Sequence, residues 1–341
     1  MAERLLDVSG LSTHFFTYAG VVKAVNGVSF TLDRRETLGI VGESGSGKTV
    51  AALSVLRLVP DPPGKIVAGS VTLGGRDLLT LPDDEMRQVR GNDIAMIFQD
   101  PMTSLNPVYK VGDQVAEAVM LHQDKGKKEA WRMAAQLLAR VGIPDADQRV
   151  DQYPHEFSGG MRQRAMIAMA ISCNPDILIA DEPTTALDVT IQAQIIEVVK
   201  EMQEQYESGV ILITHDLGVV AEMADKIMVM YGGRTVEYGP VDAIFYDPQH
   251  PYTWGLLGSL PRLDIVEKTR LTPIKGNPPD LIALAEGCPF SGRCGYERPE
   301  CRETWPTLEK VGPEHGVHCH IPAAERGDLR ARLARFTPEV A

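Results

Sequence analysis

The chain has 341 residues, enough to bury a large core and to hold one main domain with an appendage. Its 46 acidic against 34 basic side chains leave a formal charge of −12, which argues against nucleic acid as a partner, because that needs a basic footprint. No apolar run approaches the roughly 20 residues that span a bilayer, and Met1-Ala2-Glu3-Arg4 opens no basic-then-apolar signal segment, so membrane attachment is expected only through another protein.

From Leu5 to Phe98 the signals are those of strands. Val28, Phe30 and Leu32 alternate with polar residues after Asn26-Gly27, which reads as a turn. An antiparallel β subdomain is expected here. Thr37 to Val41 reads as a buried strand, and Val50 to Leu56 as a helix. Between them stands Gly42-Glu43-Ser44-Gly45-Ser46-Gly47-Lys48-Thr49, with glycines at its first and sixth places. Such a loop bends until its backbone N–H groups face one anion, helped by the dipole of the following helix. Lys48 then reaches the β- and γ-phosphates and the Thr49 hydroxyl ligates Mg²⁺. The spacing predicts a nucleoside triphosphate site that includes Gly42, Ser44, Gly45, Gly47, Lys48 and Thr49.

From Asp100 to about Phe157 the pattern turns helical and polar, with helices expected over Val111–His122 and Lys128–Val141 before a Gly142-Ile143-Pro144 break. Phe157 to Arg164 leads into a helical run from Ala165 to Ser172, and its Ser158-Gly159-Gly160 offers exposed N–H groups at a helix N-terminus. Ile177 to Ala180 is an apolar run ending in Asp181 and Glu182, as a buried parallel strand ends at a nucleotide site. A helix over Val189–Tyr206 places Ile191, Ile195, Val198, Val199 and Met202 on one core-facing side. Val210 to Thr214 is a second buried strand, delivering His215-Asp216 to the same edge. Lys226 to Val236 reads as a hairpin through Gly232-Gly233.

Taken in this order, the motifs resemble the ATP-binding cassette (ABC) ATPases. The Walker A loop matches Gly42 to Thr49, the glutamine loop Gln99, the signature Ser158 to Met161 (with Met where Gln is commoner), Walker B Asp181 and Glu182, the D-loop Ala186-Leu187-Asp188, and the switch histidine His215. The resemblance implies an ATPase with an α/β P-loop NTPase core, an antiparallel β subdomain and a helical subdomain. Thr49, Gln99 and Asp181 would serve Mg²⁺. Glu182 would orient or deprotonate the attacking water, with Gln99 and His215 at the γ-phosphate, and Ser158 and Gly160 would complete a partner cassette's site. An aromatic, Phe16 with Tyr18 second, would stack on adenine. Pro101 to Pro107 would line the socket for a membrane subunit.

His250-Pro251-Tyr252-Thr253 and then Leu256-Leu257 resemble the start of the C-terminal extension in oligopeptide and dipeptide importer ATPases of the D type. Beyond a proline-rich stretch from Leu260 to Pro289 come four of the five cysteines, Cys288, Cys294, Cys301 and Cys319, separated by five, six and seventeen residues. Cys173 sits alone and reads as an apolar core residue. A disulfide does not suit a reducing cytosol. Four thiolates suit structural zinc, although no C-x₂-C knuckle is present, and they equally suit a [4Fe–4S] cluster. The resemblance implies the cluster, with zinc, or thiols that hold no metal, as the alternatives. Arg293, Arg298 and Arg302 would neutralise its charge. With few large apolar residues, the tail is expected to fold on metal–thiolate bonds, far from a phosphate loop that would bind ATP without it.

The organisation expected is a nucleotide-binding domain over residues 1–250, with a helical subdomain at about 100–160, and an irregular metal-binding extension over 251–341. The resemblance further implies peptide import at the cytoplasmic face of the membrane. Two integral permease subunits, a paralogous ATPase forming a heterodimer and an extracytoplasmic solute-binding protein would complete the complex. A nickel or other small-solute importer, and a soluble ABC ATPase outside transport, are the alternatives. The latter class typically carries a coiled-coil insertion or basic patches, which this chain lacks.

Overall fold

A computed structural model describes residues 3–100, 104–184, 189–259, 274–284 and 286–335. Two units divide the chain. The first comprises Met1–Asp7, Thr31–Thr37 and Val71–Ile213; the second comprises Val8–Phe30, Leu38–Ser70 and Thr214–Ala341. An antiparallel sheet of order β2-β1-β4-β5 is built from β1 (Arg4–Thr17), β2 (Gly20–Asp33), β4 (Gly64–Leu73) and β5 (Arg76–Asp77), strands whose residues are shared out between the units. The Asn26-Gly27 turn expected from the sequence does not form. Gly27 takes φ 75° inside β2, and the chain reverses instead between β1 and β2. A glycine of positive φ serves a strand irregularity as readily as a turn, so the dipeptide alone does not tell the two apart.

In the first unit, β6 (Ile94–Ile97), β7 (Ile177–Asp181) and β8 (Gly209–Ile213) lie parallel in the order β8-β7-β6, with Ile94 opposite Ile177 and Ile177 opposite Gly209. Every residue of the three strands is buried, which is why their sequences read as continuous apolar runs rather than alternating ones. Between β6 and β7 run α3 (Val111–His122), α4 (Lys127–Arg140), the short α5 (Ala146–Arg149) and α6 (Gly159–Ala170); α1 (Lys48–Val55) and α2 (Asp83–Val89) precede them. α3 buries Val111, Val115 and Val119, and α4 buries Ala130, Ala134 and Leu138, each set one helical turn apart. These helices pack together, and α4 and α3 both touch α6. α7 (Val189–Tyr206) has the predicted bounds. Its buried face holds Ile195, Ile196, Val199 and Met202, with Val198 only half-buried at the margin.

In the second unit β3 (Thr37–Val41) pairs in parallel with β9 (Lys226–Tyr231), Leu38 opposite Lys226. β9 turns through Gly232-Gly233 into β10 (Arg234–Pro240), as the sequence predicts. Here the C-terminal extension adds structure that composition did not foretell. Its hairpin, β11 (Glu309–Gly312) and β12 (His315–Val317), continues the sheet in the order β11-β12-β10-β9-β3, Glu237 standing opposite Val317. Besides α1, the described residues of this unit form α8 (Leu217–Met223), α9 (Val241–Tyr246), α10 (Pro251–Gly258), the single turn α11 (Glu300–Glu303) and α12 (Ala323–Arg335).

The extension also enters the core. Cys288, Phe290 and Cys301 belong to one buried cluster with Val41, Val220, Val229, Tyr231 and Tyr252. Phe290 lies edge-on to Tyr231 at 5.2 Å between ring centroids, and Tyr252 is 4.5 Å from Tyr231. The buried Glu237 carboxylate ties the arrangement together, accepting from Gln249 N at 2.6 Å and His250 N at 2.9 Å, with His315 Nε2 at 2.8 Å. The tail, expected to depend on metal–thiolate bonds, is thus also packed by large side chains that share the apolar surface of β9, β10 and α10.

Candidate functional site

The phosphate loop is shaped by close backbone approach. Gly42 has φ 153° and Gly47 φ 100°; a Cβ on the first would lie 2.2 Å from the Met230 carbonyl oxygen, and on the second 2.2 Å from that of Ala24. Only glycine satisfies both demands. Gly47 is the N-cap of α1, so the first turn of that helix points its free N–H groups into the loop. Lys48 is buried, its Nζ donating to the carbonyls of Gly42 at 2.8 Å and Glu43 at 3.0 Å. The buried Ser46 hydroxyl has no partner among the described residues, as befits a group left for a ligand. Ser44 and Gly45 are exposed at the crest, and Thr49 stands half-buried in the first turn of α1. His215 lies exposed in the same unit, one residue before Asp216, which caps α8 by accepting from Gly218 N at 2.9 Å.

The first unit holds the other sequence-predicted residues. β7 ends in Asp181, which is buried, and Glu182 follows with φ 48°, its N–H donating to Ile213 O at 2.8 Å. A left-handed non-glycine residue beside a strand end is a conformation that folds retain at functional positions. Gln99, 83 residues away in sequence, donates from Nε2 to Glu182 Oε2 at 2.9 Å, so the structure brings this predicted pair together. Ser158 caps α6, accepting from Met161 N at 3.3 Å, and with Gly159 it is exposed. Sequence reasoning missed the buried Gln163 of α6, which donates from Nε2 to Pro183 O at 2.8 Å and fixes the turn after Glu182. A polar residue inside a helical run carries no signal of such a contact. Phe16 and Tyr18 are both exposed near the end of β1. The segment Ala186-Leu187-Asp188 and Pro101 to Thr103 lie outside the described residues.

Cys288, Cys294, Cys301 and Cys319 line one small cavity with His250, Phe290, Tyr296 and Ile321. It leaves room of about 10 Å³, on the order of one water. Among the described residues no three His, Cys, Asp or Glu side chains stand as a ready metal-holding set, and all five cysteines are free. Burial pushes the Cys288 thiol up to about 12 and Cys294 up to about 11, and raises Cys319, the neighbouring cysteines adding to each. These thiols stay protonated until a cation draws off their protons. The arginines do not supply that charge as expected from the sequence. Arg298 pairs with Glu325 at 2.6 Å and Arg302 with Glu297 at 2.6 Å, while Arg293 pairs with Glu43 of the phosphate loop at 2.6 Å. Each guanidinium finds a nearby carboxylate, which is the stronger attractor. Cys173 is buried, as predicted.

Family models for "ABC transporter" and for "Oligopeptide/dipeptide transporter, C-terminal region" match residues 25–185 and 236–301. The chain is 54% identical over 319 residues to the dipeptide transport ATP-binding protein DppD of Bacillus subtilis, covering 94% of this chain and 95% of that one. It is 50% identical over 324 residues to the oligopeptide transport ATP-binding protein OppD of Salmonella typhimurium, covering 95% and 96%. Among solved structures, the dimeric bacterial ABC transporter cassette MJ0796 superposes with a TM-score of 0.63 at 24% identity, over 69% of this chain and 98% of that one. That likeness establishes the fold. No helix among the described residues is long and apolar enough to cross a membrane.

Proposed function

From its membership of the ATP-binding proteins of oligopeptide and dipeptide ABC transporters, to which this chain belongs, we propose that it hydrolyses ATP to power peptide import through a membrane complex. The observation that carries this reading is the phosphate loop and the extension together in one chain that aligns with the peptide-transport relatives over 94% and 95% of its length. In the mechanism we infer, Lys48 leaves the Gly42 and Glu43 carbonyls to meet the β- and γ-phosphates, and the N-terminus of α1 with Ser44, Gly45 and Ser46 surrounds them. Thr49, Gln99 and Asp181 would hold Mg²⁺, which when bound neutralises phosphate charge. Glu182, oriented by Gln99, activates the attacking water, and His215 contacts the γ-phosphate. The end of α6 with exposed Ser158 and half-buried Gly160 would complete the site of an opposing cassette. Phe16 is the proposed adenine platform.

The finer assembly is a heterodimer with a related ATPase, docked on two permease subunits at the cytoplasmic face and served by a solute-binding protein. Exposed Val108 and Tyr109, following the loop Ser104–Pro107, suit the socket for a permease helix. Native mass analysis showing two identical cassettes would replace the heterodimer. We keep the division into a cassette over 1–250 and an extension over 251–341.

In that extension the four thiols line one cavity together with His250, His320 and Tyr296, and thiolates are the ligand type a soft cation takes. A [4Fe–4S] cluster is the reading the family resemblance favours. A single Zn²⁺ is the second reading, and thiols that hold no metal are the third. Glu182→Gln tests the central proposal. It keeps shape and hydrogen bonding but removes the base, so ATPase activity of the purified complex should fall about 10²- to 10⁴-fold while ATP binding persists. Turnover near wild type would mean that another group activates the water.

A further inference from the structure

We propose that Arg293, on the C-terminal extension, is a positioning residue for the phosphate loop, acting through Glu43, so that nucleotide affinity depends on how the extension is folded. The inference rests on the reading of residues 42–49 as the ATP loop.

Glu43, the second residue of that loop, is held on every side. Its carboxylate accepts a forked pair from Arg293, Nη1 to Oε2 at 2.6 Å and Nη2 to Oε1 at 3.1 Å. Its N–H donates to the Tyr252 hydroxyl of α10 at 2.7 Å. Its carbonyl accepts from Ser46 N at 3.2 Å and from Lys48 Nζ at 3.0 Å. Two of these attachments come from the region beyond residue 250, and two link directly to the residues that meet phosphate. A shift of Glu43 therefore moves the resting place of the Lys48 ammonium.

Arg293 is built to hold rather than to yield. Besides the fork, its Nε donates to Lys275 O at 2.9 Å, Nη2 to Ile274 O at 3.1 Å and Nη1 to the Tyr231 hydroxyl at 3.0 Å, so all five donors find acceptors. Its side chain is only 8% exposed and that of Glu43 26%, which sets the pair apart from the loosely held bridges of a protein surface. Removing one partner leaves the other charge part-buried and uncompensated. The backbone that carries Arg293 is a single 3₁₀ turn, Ser291–Arg293, closed by Arg293 N to Phe290 O and Cys294 N to Ser291 O, both 3.0 Å. Cys288 and Cys294 bracket that turn. The anchor of Arg293 thus lies between two of the four thiols that line the cavity.

A simple staple would hold the extension and leave the nucleotide untouched. To separate the two, the complex would carry Arg293→Gln, Glu43→Gln, both together, or Arg293→Lys, with titration by a fluorescent ATP analogue and measurement of KM and kcat for ATP. We expect each Gln variant to weaken binding on the order of 10-fold, through KM with kcat retained. The double variant should be no worse than either single one, and Arg293→Lys should recover part of the affinity. Amide exchange over residues 42–49 should quicken in both single variants. Because Glu43→Gln leaves the extension's core intact, it serves if Arg293→Gln fails to fold. Wild-type affinity in Glu43→Gln, or losses that add in the double variant, would overturn the proposal. If the unaltered complex bound no ATP, the nucleotide reading itself would fall, and this inference with it.

Discussion

The phosphate loop and the four-cysteine extension belong to the same unit of the fold, yet they are specified in opposite ways. The loop is a backbone device. Eight consecutive residues carry it, and its demands, positive φ and no Cβ at Gly47, are met by residue types at fixed spacing. The extension is a side-chain device. Tyr231, Tyr252 and the turn that carries both Phe290 and Arg293 meet from three separate segments, and the bond from Arg293 to Glu43 spans 250 residues of chain. Local constraints leave a pattern in sequence, whereas contacts across hundreds of residues leave only the residue types that could make them.

The sharpest way to break the comparison is Gly47→Ala. The new Cβ would meet the Ala24 carbonyl at 2.2 Å in a left-handed conformation, and the neighbour is backbone, which cannot step aside. The strain is on the order of 3 kcal/mol or more. We expect ATP binding by the complex to fall below detection in a nucleotide titration while the extension keeps its fold. Binding within a few-fold of wild type would show that the loop tolerates what its geometry forbids.

How much was legible follows the same division. The bounds of β3, α3 and α7 and the hairpin at Gly232-Gly233 agree with the sequence because burial on both faces, helical periodicity and positive φ are each written locally. Gln99 and Glu182 could be named from the order of motifs, although only the fold shows that they touch. Asn26-Gly27 misled because the same conformational freedom serves a strand irregularity. The extension misled more. Counting its apolar residues could not reveal that Phe290 shares a core with Tyr231 and Tyr252. Nor could the sequence show that Arg293, lying beside a cysteine, spends its charge on the phosphate loop rather than on the thiols.

Phe290→Ala is the next largest test. The ring is buried between two tyrosines, and its removal leaves a cavity that costs about 3 kcal/mol by the usual large-to-small behaviour. Limited proteolysis should then release fragments from beyond residue 274, with the cassette surviving as a stable core. A variant as resistant as wild type would mean that the extension is held by its cysteines, as its composition alone suggested, rather than by shared burial.

The smallest effect expected is also the one that distinguishes the two descriptions of the tail. Anaerobically purified protein carrying a [4Fe–4S] cluster should be brown, with near-equal iron and acid-labile sulfide; colourless protein holding one zinc per chain would favour the single ion. Cys294→Ser removes one donor from the set while keeping its size. If the tail were a separate staple, colour or zinc would be lost and the nucleotide site would not respond. We expect otherwise, because Cys294 stands at the end of the turn that carries Arg293, so that loosening its side chain loosens the turn, and Arg293 grips Glu43. Shared packing around Phe290 keeps the turn from collapsing, so the disturbance reaching Glu43 is partial. The KM for ATP should rise roughly 3-fold, a coupling of about 0.6 kcal/mol, alongside the loss of metal. Loss of metal with an unchanged KM would confine the four cysteines to stapling the extension, leaving Arg293 as an anchor that does not sense them.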